Sequence, residues 1–301
     1  MVEKIKITFL GTGGIIPTED RNHIAMLLTY RDENILVDCG EGTQRQFRKA
    51  KINPCKITKL LITHWHGDHV LGIPGLLQTL ALNGYKKTLE VYGPKGTKQF
   101  MKEMLKVFHF VADIKIKVQE VSNEKFFENN EFYLESKPMT HGIACNAYAF
   151  VAKGKIRIDR DKLAKSKLPS GPLMKKLKEG KDITYNGKKI LAKNLTYMQG
   201  SKRVSFILDT GKNENIVPFA KDSDLLIIDS TYADDMKELA QDHKHLTSSQ
   251  SAEIAKKAKV KELVLTHISQ RYGRDPKKIL NDAKKIFKKS SVVNDLDSVK
   301  I

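Results

Sequence analysis

Four side chains of the types that bind metal ions lie close together in the run His64-Trp65-His66-Gly67-Asp68-His69. The run follows the apolar residues 60–63, which are typical of a buried β-strand. On an extended chain His64 and His66 point to the same side, and Gly67 permits a turn that brings Asp68 and His69 to a neighbouring position. Zinc accepts imidazole and carboxylate ligands. A lone histidine is more often structural, but this density of ligands predicts a site for two adjacent metal ions.

Three further candidates each follow a strand-like stretch. His141 comes after the stretch that begins at residue 132, Asp209 after residues 204–208, and His267 after residues 263–266. Loops at strand ends assemble sites in layered α/β folds, so these side chains could converge on one place. Taken singly, His141 and His267 would more often be structural residues. As a set, the three favour the same site as the histidine run.

The elements that must position these residues alternate between strands and helices along the whole chain. Apolar runs of β-type composition predict strands at residues 5–10, 24–30, 35–37, 59–63, 89–92, 204–208, 225–228 and 263–266. Apolar positions three or four apart predict helices at about residues 41–51, 75–82, 95–107, 248–259 and 276–288. Thr247 and Gln250 are spaced to cap the fourth helix. The pattern indicates one α/β layered domain over residues 1–301.

One segment departs from this pattern, and we name residues 153–194 the basic segment. It holds fourteen lysines and arginines against four acidic residues, and so carries a net charge of +10 out of the +18 of the chain. Such a charge attracts polyanions, with nucleic acid the leading candidate and an acidic membrane the second. A lysine run is often only a solvated surface. Its concentration in one inserted stretch favours a projecting, flexible arm that binds a partner.

The compartment is indicated by the cysteines and by the apolar runs. Three cysteines, Cys39, Cys55 and Cys145, form no CxxC pair, so neither a disulfide framework nor a cysteine zinc site is predicted, and a reducing cytoplasm fits. The longest apolar stretch, residues 70–82, is interrupted by glycine and proline and is shorter than the roughly 20 residues of a membrane span. We therefore expect a cytoplasmic protein without a transmembrane helix.

The run from His64 to His69 resembles the HxHxDH hallmark of the metallo-β-lactamase superfamily, and the resemblance spans nearly the whole chain. It implies a four-layer αββα sandwich and two zinc ions per subunit. By the superfamily pattern, one zinc would be held by His64, His66 and His141. The other would be held by Asp68, His69 and His267, with Asp209 bridging the two ions. The same pattern implies that Asp38 orients a zinc-binding histidine.

Other motifs resemble the ribonuclease Z branch of that superfamily: the stretches 11–14, 17–22 and 40–44. The second of them ends in Arg21 and Asn22, which the resemblance links to handling the 3′ end of the RNA, although Glu19 stands where the family usually has lysine. Gly171 and Pro172, within the basic segment, resemble the family's exosite, which grips the transfer RNA elbow. His245 resembles a family histidine and is expected to protonate the leaving oxygen or to stabilise the transition state.

The resemblance implies a zinc-dependent endoribonuclease that removes the 3′ trailer from precursor tRNA, leaving a 3′-hydroxyl on the tRNA and a 5′-phosphate on the trailer. Zinc-activated water would attack the phosphate, with Asp68 as ligand, as proton acceptor or as both. The resemblance also implies a homodimer in which the arm of one subunit serves the other. Two alternatives stay open: a different hydrolase on the same scaffold, such as a small-molecule phosphodiesterase, or a non-catalytic RNA-binding protein with a structural metal site.

Overall fold

Two seven-stranded sheets contain most of the apolar runs of the chain. The structure is a computed structural model that describes residues 4–110, 114–166, 168–169, 171–273 and 275–301. The first sheet has the order β18-β1-β2-β3-β4-β5-β6. Its strands are β1 (Lys6–Gly11), β2 (Ala25–Tyr30), β3 (Glu33–Val37), β4 (Lys59–Leu61), β5 (Leu89–Gly93), β6 (Ile116–Glu120) and β18 (Ser298–Lys300). Strands β3 to β6 pair in parallel, whereas β18, β1, β2 and β3 pair antiparallel.

The second sheet has the order β17-β16-β15-β14-β9-β8-β7. Its strands are β7 (Lys125–Glu128), β8 (Phe132–Met139), β9 (Cys145–Ala152), β14 (Lys202–Ile207), β15 (Leu225–Asp229), β16 (Glu262–Thr266) and β17 (Ser290–Val292). Strands β14 to β17 pair in parallel. Parallel strands are buried on both faces, which explains why β15 and β16 have nearly continuous apolar sequences rather than alternating ones.

Helices cover the outer face of each sheet. They are α1 (Thr43–Lys49), α2 (Gly67–Val70), α3 (Ile73–Leu82), α4 (Thr97–Val107), α8 (Ile216–Ala220), α9 (Lys237–Asp242), α10 (Ser248–Lys257) and α11 (Lys277–Ile286). Phe47, Leu77 and Met101 of α1, α3 and α4 form a core with the first sheet. Ala252 of α10 and Ile279 of α11 do the same with the second sheet. The predicted capping box is present at α10, between Thr247 and Gln250.

The inner faces of the two sheets pack against each other. The hydroxyl of Tyr148 on β9 donates to the carbonyl of Ile62, just beyond β4, over 2.8 Å. The rings of Tyr30 on β2 and Phe150 on β9 lie edge to face with centroids 5.3 Å apart, a favourable geometry for aromatic pairs. Helices therefore lie outside two stacked sheets, and the expected αββα metallo-β-lactamase architecture is confirmed.

The basic segment forms most of a second compact unit, residues 128–133 and 151–202. This unit contains β10 (Lys155–Ile158), α5 (Arg160–Ser166), α6 (Pro172–Lys178), β11 (Ile183–Tyr185), β12 (Lys188–Ile190), α7 (Ala192–Leu195) and β13 (Thr196–Gln199). Leu177, Ile183, Ala192 and Leu195 form its small buried core. Lys167 and Ser170 lie outside the described residues. The segment is therefore folded around apolar side chains of its own, and most of its lysine side chains are exposed.

Two further expectations concerned the cysteines and the helices. Cys39, Cys55 and Cys145 are all free thiols. Among the described residues, no helix has the length and apolar character needed to cross a bilayer.

Candidate metal centre

The candidate ligands lie at strand ends because parallel register brings the carboxyl ends of neighbouring strands to one edge. Asp209 comes two residues after β14, Asp229 is the last residue of β15, and His267 directly follows β16. In the first sheet, Asp38 directly follows β3 and His64 comes three residues after β4. Two candidate ligands sit in left-handed backbone, Asp209 at φ 39° and His267 at φ 61°. Such strain in non-glycine residues is typical of functional sites.

The first group of ligand atoms comprises His64, His66, His141 and Asp209. His66 Nδ1 lies 3.0 Å from His64 Nε2 and 3.1 Å from His141 Nε2. Asp209 Oδ2 lies 3.7 Å from His64 Nε2 and 3.9 Å from His141 Nε2. Three imidazole nitrogens and one carboxylate oxygen therefore surround a single point.

The second group comprises Asp68, His69, His267 and the same Asp209. Asp68 Oδ2 lies 3.4 Å from His69 Nε2 and 3.2 Å from His267 Nε2. The other oxygen of Asp209, Oδ1, lies 3.4 Å from His69 Nε2 and 3.2 Å from His267 Nε2. Because Asp209 turns one carboxylate oxygen to each group, the two groups are adjacent.

Both groups have the spacing that zinc requires. Four ligands bonded at about 2.0–2.1 Å in a tetrahedron lie about 3.3 Å from one another, and the distances above bracket that value. His69 Nε2 and Asp209 Oδ1 are also buried without a hydrogen-bond partner. An unpaired buried polar atom is costly and is rare in native proteins. The imidazole and carboxylate ligands, and the two unpaired atoms among them, are therefore what a metal-binding site requires.

In several of the histidines, the ring nitrogen that faces away from the metal position has a hydrogen-bond partner in the protein. His69 Nδ1 lies 2.7 Å from Asp38 Oδ2, as expected for Asp38, and Asp38 also accepts from the backbone and hydroxyl of Thr63. His267 Nδ1 lies 2.9 Å from the hydroxyl of Thr231. Such contacts fix the tautomer and the ring orientation, so that Nε2 presents a lone pair to the metal position.

Burial and charge act differently on these groups. Burial alone would lower the pKa of His69, but the carboxylates of Asp209 and Asp68 outweigh it and raise that pKa well above the ordinary value, so His69 has to lose a proton when it binds metal. Burial lowers the pKa of His64 well below its ordinary value, which leaves the imidazole neutral at pH 7. Burial alone would raise the pKa of Asp209, but the imidazoles of His267 and His69 outweigh it and hold that pKa well below the usual range. A neutral imidazole and an ionised carboxylate are the forms that bind metal.

His245 stands beside both groups and is paired with a carboxylate that the sequence analysis did not identify. Its Nδ1 lies 2.8 Å from Oδ2 of Asp229, which is fully buried. Burial lowers the pKa of His245, but Asp229 more than compensates and raises it to about 9. His245 lines a cavity of about 340 Å³ together with Asp68, His141 and His267. An imidazolium is therefore available next to the candidate metal positions. Asp229, like Asp209, lies at the end of an apolar strand. This position in the sequence is the signal by which Asp229 could have been predicted.

Two glycines allow the loop from β3 and the helix α2 to approach closely. A Cβ added to Gly40 would lie 2.3 Å from the carbonyl oxygen of Asp68, and one added to Gly72 would lie 2.0 Å from that of Gly40. Neither position has room for a side chain. The pair lets the backbone that holds Asp38 contact the backbone that holds Asp68 and His69.

Arg21 and Asn22 differ in their surroundings. Arg21 is only 1% exposed, and its guanidinium donates to Thr12, to Asn294 and to the carbonyl of Val293. The side chain of Arg21 is therefore used inside the protein, and its contact with RNA stays a prediction. Asn22 lines a separate cavity of about 510 Å³ and donates to the carbonyl of Glu41.

Gly171 and Pro172 lie in the basic segment, both exposed, with Pro172 as the first residue of α6. The metal groups lie in the other compact unit. The structure thus brings together the seven candidate metal ligands and His245, whereas Gly171 and Pro172 belong to a different unit.

Comparisons with known proteins agree with this geometry. Residues 5–170 match a family described as Anti-Pycsar protein Apyc1, and residues 175–268 match a beta-lactamase superfamily domain. A ribonuclease Z of Methanosarcina acetivorans is 36% identical over 99% of this chain and 98% of its own length. A ribonuclease Z of Bacillus cereus is 38% identical, with 98% of each chain covered.

Solved structures show the same fold. The short form of human tRNase Z superposes with a TM-score of 0.69 at 25% identity, covering 98% of both chains. The metallo-beta-lactamase fold protein YhfI of Bacillus subtilis superposes with a TM-score of 0.72 at 18% identity, covering 99% of this chain and 100% of its own.

Proposed function

Because the chain belongs to the ribonuclease Z family, we propose that it is an endoribonuclease that removes the 3′ trailer from precursor tRNA. The products are a 3′-hydroxyl on the tRNA and a 5′-phosphate on the trailer. The observation that carries the proposal is the meeting of two ligand groups on Asp209, in a chain that aligns with curated ribonuclease Z proteins over nearly its full length.

The proposed cofactor is two zinc ions per subunit. One group of residues would hold the first ion through His64, His66 and His141, and the other would hold the second through Asp68, His69 and His267. Asp209 would bridge them. Zinc bound there would lower the pKa of a water molecule to about 7 and would stabilise negative charge on the reacting phosphate. The neutral imidazole of His64 and the ionised carboxylate of Asp209 support this assignment.

The protein's own groups would move the protons. Asp68, whose pKa is lowered because the His69 and His267 imidazoles outweigh the effect of burial, is placed to accept a proton from the attacking water. As the bond between phosphorus and the 3′ oxygen breaks, His245 would give its proton to that oxygen, which becomes the 3′-hydroxyl. Asp229 would hold His245 in place and keep it protonated. Proton donation to a leaving group typically accelerates a reaction by about 10²- to 10⁴-fold.

The basic segment is proposed to hold the body of the tRNA. Lys165, Lys175, Lys176, Lys178 and Lys193 are exposed, and lysines bind phosphates without reading sequence. Duplex RNA is recognised largely by shape and backbone, which suits such a surface. Gly171 and Pro172 lie between these lysines in the chain and would contact the RNA with them. Asn22, in its cavity beside the metal centre, is proposed to contact the 3′ end of the RNA.

We also propose that the protein acts as a homodimer in the cytoplasm. The motif resemblance described in the sequence analysis implies the dimer, and the three free cysteines fit a reducing compartment. Analytical ultracentrifugation tests the oligomeric state. A sedimentation coefficient typical of a 34.1 kDa monomer at micromolar concentration would contradict the dimer.

The decisive assay is cleavage of an end-labelled precursor tRNA by zinc-loaded protein, with the ends of both products identified. Wild type should cut after the tRNA body, and Asp68→Ala should not. Asp275→Ala is the matched control. It removes an exposed carboxylate that belongs to neither ligand group, and this variant should cut normally. Hydrolysis of bis(p-nitrophenyl) phosphate without any RNA cleavage would instead favour the small-molecule phosphodiesterase.

A further inference from the structure

Asp295 is a partly buried carboxylate that the proposed reaction does not use. It lies between β17 and β18, near the end of the chain. Its Oδ1 accepts from the hydroxyl of Thr12 over 2.8 Å. Its Oδ2 accepts from the backbone N–H of Asn22 over 2.8 Å and from Nε2 of Gln46 over 2.7 Å. One oxygen atom therefore joins the loop before β2 to helix α1.

The buried Arg21 belongs to the same network. Thr12 accepts from the guanidinium of Arg21 over 2.7 Å and donates its own proton to Asp295. The charge of Asp295 also favours the cationic form of Arg21, against the burial that lowers its pKa. Hydrogen bonds of this kind that involve charged groups are stronger than neutral ones. The network fixes residues 12–22 relative to the end of the chain.

The two segments that Asp295 joins are the two walls of the cavity of about 510 Å³. Thr18 and Asn22 form one wall, and Gly42, Gln44 and Arg45 at the start of α1 form the other. The walls touch, because a Cβ on Gly42, whose φ is +76°, would lie 2.9 Å from Oδ1 of Asn22. A small displacement of either wall would therefore change the shape of the cavity.

This cavity flanks the metal centre. Leu71 and Gly72, which also line it, directly follow helix α2 with its Asp68 and His69. His23 lines the cavity too, and its Nε2 lies 3.2 Å from the carbonyl of Ile15, a residue that lines the metal cavity. The cavity is large enough for one nucleotide, and Arg45 provides a cation for its phosphate.

We propose that Asp295 is a positioning residue for RNA binding, which holds the two walls so that the cavity accepts a nucleotide next to the scissile phosphate. The inference rests on the proposed cleavage of precursor tRNA. Asp295 acts through Asn22 and Gln46 and touches neither RNA nor metal. A small phosphodiester that needs only the metal centre should not depend on it.

The test compares kinetics on precursor tRNA and on bis(p-nitrophenyl) phosphate for zinc-loaded wild type, Asp295→Asn and Gln46→Met. In Asp295→Asn, an amide N–H₂ replaces an acceptor that faces several donors, and KM for the RNA should rise about tenfold, equivalent to about 1.4 kcal/mol. Gln46→Met breaks only the hydrogen bond between Asp295 and α1, and it should raise the KM for the RNA about threefold. The turnover of the small substrate should stay within about twofold.

Asp32→Asn is the matched control, because it makes the same change in charge at an exposed carboxylate in the turn between β2 and β3. It should leave the KM for RNA unchanged. An unchanged KM in both Asp295→Asn and Gln46→Met, with wild type cutting the RNA, overturns the inference alone. A parallel loss on both substrates with a lower melting temperature also overturns it, since that indicates a purely structural carboxylate. Failure of wild type to cut the RNA overturns the proposed function and the inference together.

Discussion

Replacing Asp229 with asparagine should slow RNA cleavage in a way that depends on pH. Asp229 raises the pKa of His245 from an ordinary 6.5 to about 9, a stabilisation of the imidazolium by about 3 kcal/mol. Without the carboxylate, that pKa should fall to about 6.5 or below. At pH 8 the protonated fraction would then drop from about nine tenths to about 3%, so the rate should fall about thirtyfold. At pH 6 the loss should be several times smaller than at pH 8, because much more of the imidazole is still protonated.

The assay is kcat/KM for precursor tRNA between pH 6 and pH 10, with zinc content measured for each variant. The falling limb of the profile should move from near pH 9 towards pH 6.5. On bis(p-nitrophenyl) phosphate, whose leaving group is stable as an anion, the loss should be less than about threefold. Asp242→Asn, an exposed carboxylate in helix α9, is the control for the substitution itself.

Two results would refute this reasoning. An equal loss at pH 6 and pH 8 would show that Asp229 acts through structure and not through the protonation of His245. An equal loss on both substrates would show that His245 does not protonate the leaving oxygen.

Three further outcomes are expected. Removing metal with a chelator should abolish cleavage and lower the melting temperature, because two buried ligand groups lose their ions, and added zinc should restore both; cleavage that persists in metal-free protein would contradict this. Deleting residues 155–193 should raise KM for precursor tRNA and reduce the salt dependence of log KM, since fewer phosphates are neutralised. Mixing that deletion with Asp68→Ala should restore activity if the basic segment of one subunit serves the other, and additive inactivity would count against it. Arg21→Met should lower the melting temperature, by an amount equivalent to roughly 3 kcal/mol of unfolding free energy, because it leaves buried acceptors unpaired; an unchanged thermal transition would contradict the buried network.

Much of the architecture could be predicted because long apolar runs determine their own elements. The run at residues 225–228 became β15 (Leu225–Asp229), and the helix predicted at 248–259 became α10 (Ser248–Lys257). Short elements were missed. Strands such as β17 and β18 have only three residues each, and their stability comes from neighbouring strands that are distant in sequence. The core of the basic segment also escaped prediction, because Leu177 and Ile183 are each flanked by charged or polar residues in the sequence.

The candidate site shows a similar division. The histidine run was visible because its ligands are adjacent in sequence, and strand ends indicated Asp209 and His267. The burial of Arg21 could not be predicted, because its partners Val293 and Asn294 lie more than 270 residues away along the chain. A buried arginine and one that binds RNA have the same local sequence signal. Long-range burial of polar groups is what the sequence alone does not reveal.

The central claim is that water attacks the phosphorus at the end of the tRNA body, in the centre built on Asp209. Cleavage of precursor tRNA by zinc-loaded wild type in ¹⁸O-labelled water tests it most directly, with mass spectrometry of both products. Attack of water on phosphorus should place one ¹⁸O atom in the 5′-phosphate of the trailer and leave the 3′-hydroxyl of the tRNA unlabelled. A 2′,3′-cyclic phosphate on the tRNA, or a trailer without label, would contradict it.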